Sequence, residues 1–152
     1  MAYTNAQARQ QLLDTLAGAT EAIGFALMSL GEAYEQLDEN SADRLEQELF
    51  RPVQMAYGRA KRTHAEFAGR HDLPSHSFEQ ASLGAPSHGV KGFIDSAMEA
   101  IGKADGELAT LQDSMLPVEV GDPELRAGLE EVRTLLGELR GRARQFMRTL
   151  GR

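Results

Sequence analysis

The sequence predicts an all-α protein. It reads as a single domain, residues 1–152, folded as an antiparallel up-down-up-down four-helix bundle with a short lid helix in the second connection. Three observations lead there. Four stretches carry apolar residues at alternating intervals of three and four, the spacing that lines side chains along one seam of a helix. No stretch alternates with period two, so no strand is expected. The first and third connections are short enough to force antiparallel neighbours.

The first helix is expected over about residues 5–37, capped by Thr4 or Asn5, with the seam Leu12, Leu16, Ala19, Ile23, Ala26, Leu30, Ala33 and Leu37. The second is expected over about 42–69, capped by Ser41 and stopped near Gly69, with the seam Leu45, Leu49, Val53, Ala56, Ala60 and Phe67. Its phase slips at Pro52, which lacks an amide donor and predicts a kink or a break. The third, about 88–115, follows Pro86 and the cap Ser87, with Val90, Ile94, Ala97, Ile101, Ala104, Leu108, Leu111 and Met115 on its seam. The fourth, about 123–150, has the strongest start signal: Asp122 as cap, Pro123 at the first helical position, then Glu124. Its seam is Leu125, Leu129, Val132, Leu136, Leu139, Ala143, Phe146 and Leu150, and Gly151 stops it.

The topology is decided by the connection over residues 70–86. Helix two should be about 42 Å long at 1.5 Å per residue. The connection is partly helical by its capping box, Ser77 to Gln80, and its stop at Gly84, so it reaches at most about 45 Å. A ferritin-like crossover along the whole bundle would use all of that reach. A return at the same end is therefore expected, with Leu73, Phe78 and Leu83 folded over the bundle end.

That topology sorts the charges. One end would gather twelve of the sixteen Lys and Arg, seven of the twenty-three Asp and Glu, and all four histidines. Arg62, Arg70, His71, Lys91, Arg144 and Arg148 are its anion-binding candidates, for a phosphate-bearing small molecule or an acidic protein partner. Cations closing helices two and four also offset the macrodipole. The acidic end of helix one, Glu32, Glu35, Asp38 and Glu39, runs against that rule.

Composition narrows the function classes. Without cysteine there is no disulfide, thiolate nucleophile or cysteine metal site. No Glu-x-x-His or His-x3-His is present, so no metal and no cofactor are expected. A net charge of −7 argues against a dedicated nucleic-acid binder. Residues 1–11 are polar with no basic segment, and the apolar run 12–30 is interrupted by Asp14 and Glu21. Neither a signal peptide nor a membrane span is expected, and the expected compartment is the cytoplasm.

Three short patterns bear on catalysis. Arg59 and His64 form an Arg-x4-His pair that resembles the signature of HEPN ribonucleases, and the resemblance implies an arginine and a histidine facing a scissile phosphate. His88, Lys91 and Gly92 resemble the His-x-x-Lys-Gly box of histidine phosphotransfer domains, which implies phosphoryl transfer to His88 with Lys91 helping to hold the group. His88 departs from that family's pattern by falling in the first turn of its helix. Glu32, Glu35 and Asp38 are similar to half of the magnesium face of all-α nucleotide pyrophosphohydrolases, but the matching half is missing and the run reads as a solvated face.

Glycine is the odd component: Gly18, Gly24, Gly31, Gly58, Gly92, Gly102, Gly106, Gly128, Gly137 and Gly141 all fall within expected helices. Ala17, Gly24 and Gly31 recur every seven residues beside Leu13, Leu27 and Tyr34, which gives helix one a second apolar face. Those six residues are the expected interface of a homodimer. The reading as a whole is a soluble, non-enzymatic interaction or adaptor protein, set against the alternative of a phosphate-handling bundle using His88 or the pair Arg59 and His64.

Overall fold

The computed structural model describes residues 5–78 and 89–150, and among them every regular element is helical. The elements are α1 (Asn5–Glu35), α2 (Glu39–Leu45), a π-helical turn (Glu46–Phe50), α3 (Arg51–Arg70), α4 (Val90–Asp113), α5 (Leu116–Val120), α6 (Pro123–Gly137) and α7 (Leu139–Leu150).

The four seams pack as expected except at Met115, which falls beyond the end of α4 and is 52% exposed. Leu12, Leu16, Ile23 and Leu30 of α1 are fully buried, as are Leu45, Leu49, Val53 and Phe67 of the second rod. Ile94 and Leu108 of α4 and Leu125, Leu129, Leu139 and Phe146 of α6 and α7 close the same cluster. By length and composition α1 is apolar enough to cross a membrane. The interruption by Asp14 and Glu21 does not remove it from that class, but here its seam is spent on the bundle core.

The second rod runs from Glu39 to Arg70 and stays continuous through Pro52. The proline offers no N–H to the carbonyl four residues back, so the turn before it widens. Arg51 donates its amide to the Glu46 carbonyl, the five-residue reach of a π turn. The rod starts three residues before the expected site, because Asp38 rather than Ser41 is the cap: its carboxylate accepts from the Ser41 amide at 2.7 Å. Asp122 caps α6 as expected, accepting from the Leu125 amide at 2.9 Å. The fourth rod is interrupted once, at Glu138, just after Gly137. The third helix stops at Asp113, and Met115 takes a left-handed conformation (φ 66°) that starts the short α5. The cap Ser87 and the stop Gly151 lie outside the described residues.

The up-down-up-down order is overturned by the contacts between helices. Arg70 meets Asp122, Arg59 meets Glu131, and Arg44 meets Thr149, so α2–α3 runs antiparallel to α6–α7. Asp105 meets Arg133, and Gly102 lies against Arg140, so α4 also runs antiparallel to α6–α7. Helices α3 and α4 are therefore parallel, and the connection between them must travel the length of the bundle. Its first part already climbs: Leu73 donates its amide to Ala68, and His76 Nε2 lies 2.8 Å from Glu21 Oε1, well up α1. Leu73 and Phe78 pack on the core as expected, but Phe78 does so against His64, partway along α3, rather than over an end. Ser77 and Phe78 are not helical, and the rest of the expected lid helix, with Leu83, lies outside the described residues.

Two glycines allow close approach. A Cβ on Gly24 would lie 2.9 Å from the Tyr57 ring, and one on Gly128 would collide with Thr63. Gly31 and Gly106 face open space. Alanine at Gly31 or Gly106 should raise stability by up to about 1 kcal/mol, whereas alanine at Gly24 or Gly128 should lower it by about 1–3 kcal/mol. Denaturant midpoints of the four variants check the sign.

Candidate functional site

The parallel pairing of α3 and α4 divides the expected positive end. Arg62, Arg70 and His71 lie at one end of the bundle, and Lys91, Arg144 and Arg148 lie at the other. Arg70 and His71 are already engaged. The Arg70 guanidinium grips the Asp122 carboxylate with two bonds of 2.9 Å and reaches Glu124 at 2.9 Å. His71 Nε2 lies 2.9 Å from Asp122 Oδ2, and its ring packs on Phe67. Arg62 is exposed. Arg70 and His71 therefore close a structural joint and are not left open to a ligand.

Arg59 and His64 do not meet a common point. Arg59 bonds Glu131 and Thr63 on the α6 side. His64 turns to the α1 side, fully buried beneath His76 and Phe78. Five residues along a helix place side chains about 140° apart, which is why the spacing does not build a shared site. His88 lies outside the described residues, and Lys91 is exposed in the first turn of α4. Among the described residues no group of three His, Asp or Glu is placed to hold a metal ion.

The expected dimer face on α1 is covered from within the chain at three of its six residues, Leu13, Gly24 and Leu27. Leu13 and Leu27 are buried in the core, and Gly24 receives the Tyr57 ring of α3. In the second apolar row, Gly24 serves the α3 contact, while Leu13 and Leu27 join the same core cluster as the seam. Ala17 is half-buried, and only Gly31 and Tyr34 at the far end keep an open side.

The widest of the described grooves lies on the opposite face, where the two irregular turns lie side by side. The π turn of the second rod packs against α7, just beyond the break at Glu138. The groove there measures about 1170 Å³, with Gln47 and Glu48 on one wall and Arg140, Arg144, Gln145 and Arg148 on the other. Gln47, Glu138 and Arg142 join it to a second recess of about 380 Å³, where Met55 is 61% exposed. Arg140, Arg144 and Arg148 recur every four residues and share one side of α7. Arg142 is paired with Glu138 at 2.8 Å, but among the described residues Arg144 and Arg148 have no acidic partner. Arg44 ties the second rod to α7, donating to Thr149 Oγ1 at 2.9 Å and lying 5.3 Å from the Phe146 ring centre. Sequence reasoning named Arg144 and Arg148 but not Arg140, Gln47 or Met55. The four-residue arginine spacing was the available signal.

Comparison with protein-family models, curated proteins and solved structures yields no match.

Asp122 carries three loads: cap of α6, partner of Arg70 and partner of His71. Burial pushes its carboxyl up, but hydrogen bonds from Arg70, the Leu125 amide and His71, with the Arg70 charge, hold it below the ordinary carboxylate range. A depressed carboxyl adds stability that is complete above its unfolded value near 3.9 and is lost as pH falls through the folded value. Asp122→Ala should cost about 2–4 kcal/mol at neutral pH, the sum of a lost cap and a stranded, partly screened cation. Unfolding free energy followed from about pH 6 to pH 2 should fall less steeply in the variant than in the parent.

Proposed function

We propose that this chain is a soluble, cytoplasmic, non-enzymatic interaction protein that docks an acidic protein segment in the groove between the π turn and α7. The observation that carries the reading is the stripe of Arg140, Arg144 and Arg148, in which Arg144 and Arg148 lack an acidic partner among the described residues, in a chain of net charge −7. Cations retained unpaired against that overall balance favour an anionic partner. The stripe extends about 12 Å along α7, which suits a run of carboxylates better than one phosphate group. The adjoining recess beside Met55 adds apolar area where a partner side chain can rest.

A second copy of this chain is one source of such a segment. Glu32 and Glu35 close α1 with exposed side chains and, among the described residues, without ion-pair partners. The homodimer expected through Leu13 and Leu27 is thus replaced by one in which the acidic end of one copy meets the arginine stripe of another.

A labelled peptide of about ten glutamates should bind the chain, with affinity falling steeply from about 50 to 300 mM salt. Replacing Arg140, Arg144 and Arg148 together with glutamine should weaken binding by at least about tenfold, equivalent to 1.4 kcal/mol. Fluorescence anisotropy measures this, and equal binding by parent and triple variant would contradict the proposal. Light scattering in the same salt series identifies the source of the segment: mass doubling at low salt that Glu32→Gln with Glu35→Gln abolishes assigns it to a second copy.

A further inference from the structure

His64 is 1% exposed, and neither of its ring nitrogens has a hydrogen-bond partner. It lies on α3 beneath the first part of the connection that climbs toward α4. His76 and Phe78 cover it edge-on, with ring centres 6.2 Å and 5.0 Å away, and they pack on each other at 4.8 Å. Few fastenings hold this cover. His76 pairs with Glu21 at 2.8 Å, the Leu73 amide bonds the Ala68 carbonyl at 2.9 Å, and Phe78 is partly buried on the core.

A neutral imidazole can occupy such a place at the cost of its unmade hydrogen bonds. An imidazolium cannot remain there without water or a partner. We propose that His64 and residues 73–78 form an acid-released latch, in which protonation of His64 lifts the covering segment so that water reaches the ring.

The charged and titratable groups around the ring come from three elements. From α1 they are Asp14 and Glu21, from the connection His76, and from α3 itself Tyr57 and Lys61. Burial pushes the His64 imidazole below its ordinary value, His76 pushes it the same way, and Asp14 opposes. A histidine depressed in the closed form leaves the latch insensitive to pH above about 6.5. Below that value the open form gains by up to about tenfold per pH unit, until the pH passes the closed-form value. The His76–Glu21 pair has both side chains about half exposed and is screened by solvent.

The chain has no tryptophan, so Phe78→Trp supplies a single indole on the latch, excited selectively over the three tyrosines. Its emission should shift to the red between about pH 7 and pH 5, with a midpoint below about 6.5, while helical circular dichroism stays constant. The same shift should vanish when His64→Leu is added. A flat emission profile, an unchanged transition in the His64→Leu background, or loss of helix in step with emission would each overturn the latch. In the unsubstituted chain, exchange of the Leu73 amide, corrected for its intrinsic rate, should accelerate by up to about tenfold per pH unit below about 6.5 while Leu16 stays protected. Unchanged Leu73 protection would overturn the proposal independently of whether the tryptophan variant folds.

Discussion

The clasp between Arg70 and Asp122 sets the arrangement on which the rest of this molecule depends. It joins the last residue of α3 to the cap of α6, a meeting that is possible only if those helices run in opposite directions from a shared end. Two pairs make the corresponding statement for α4: Gln112 bonds Glu130 at one level, and Gly102 lies against Arg140 at the other. With α6 antiparallel to both, α3 and α4 have no choice but to be parallel. The crossing connection, the latch over His64 and the open face at α7 all follow from that.

The crossing also disperses charge. A bundle folded back at one end would pile the arginines of α3 and α7 together and leave the acidic residues at the far pole. Here the cations closing α3 meet Asp122 and Glu124, and the arginines of α7 share an end with the acidic tail of α1. Less self-repulsion at each pole favours the compact state. The dipoles agree less well: α1 still ends on Glu32 and Glu35, whose charges its own C-terminus disfavours.

The core was legible in the sequence because burial follows a period that a single strand of text displays. Leu12 to Ala33, Ile94 to Leu111 and Leu125 to Phe146 all lie inside, and Asp122 followed by Pro123 marks a helix start without any tertiary information. The topology was not legible. A reach of about 45 Å against a helix of about 42 Å permits both paths, and the seams are equally satisfied by either. The choice rests on pairs far apart in sequence, such as Arg70 with Asp122, which no local pattern announces. The second apolar row of α1 shows the same limit: Leu13 and Leu27 do mark a second contact, but whether α3 or another molecule supplies it depends on packing. Pro52 announced an irregularity, and only the structure shows that it becomes a π turn facing the break at Glu138. His64 looked like a member of a pair with Arg59, yet the helix turns the two to different neighbours.

The direction of α4 relative to α3 can be measured outright, since the chain has no cysteine to interfere with labelling. Spin labels on cysteines placed at Glu66 and Lys91, both exposed, report the distance between the end of α3 and the start of α4. Parallel helices joined by a crossing connection put the pair about 35–40 Å apart, the length of the intervening rod at 1.5 Å per residue. A separation of about 10–20 Å would return the connection to the end it left and contradict the parallel pairing of α3 and α4.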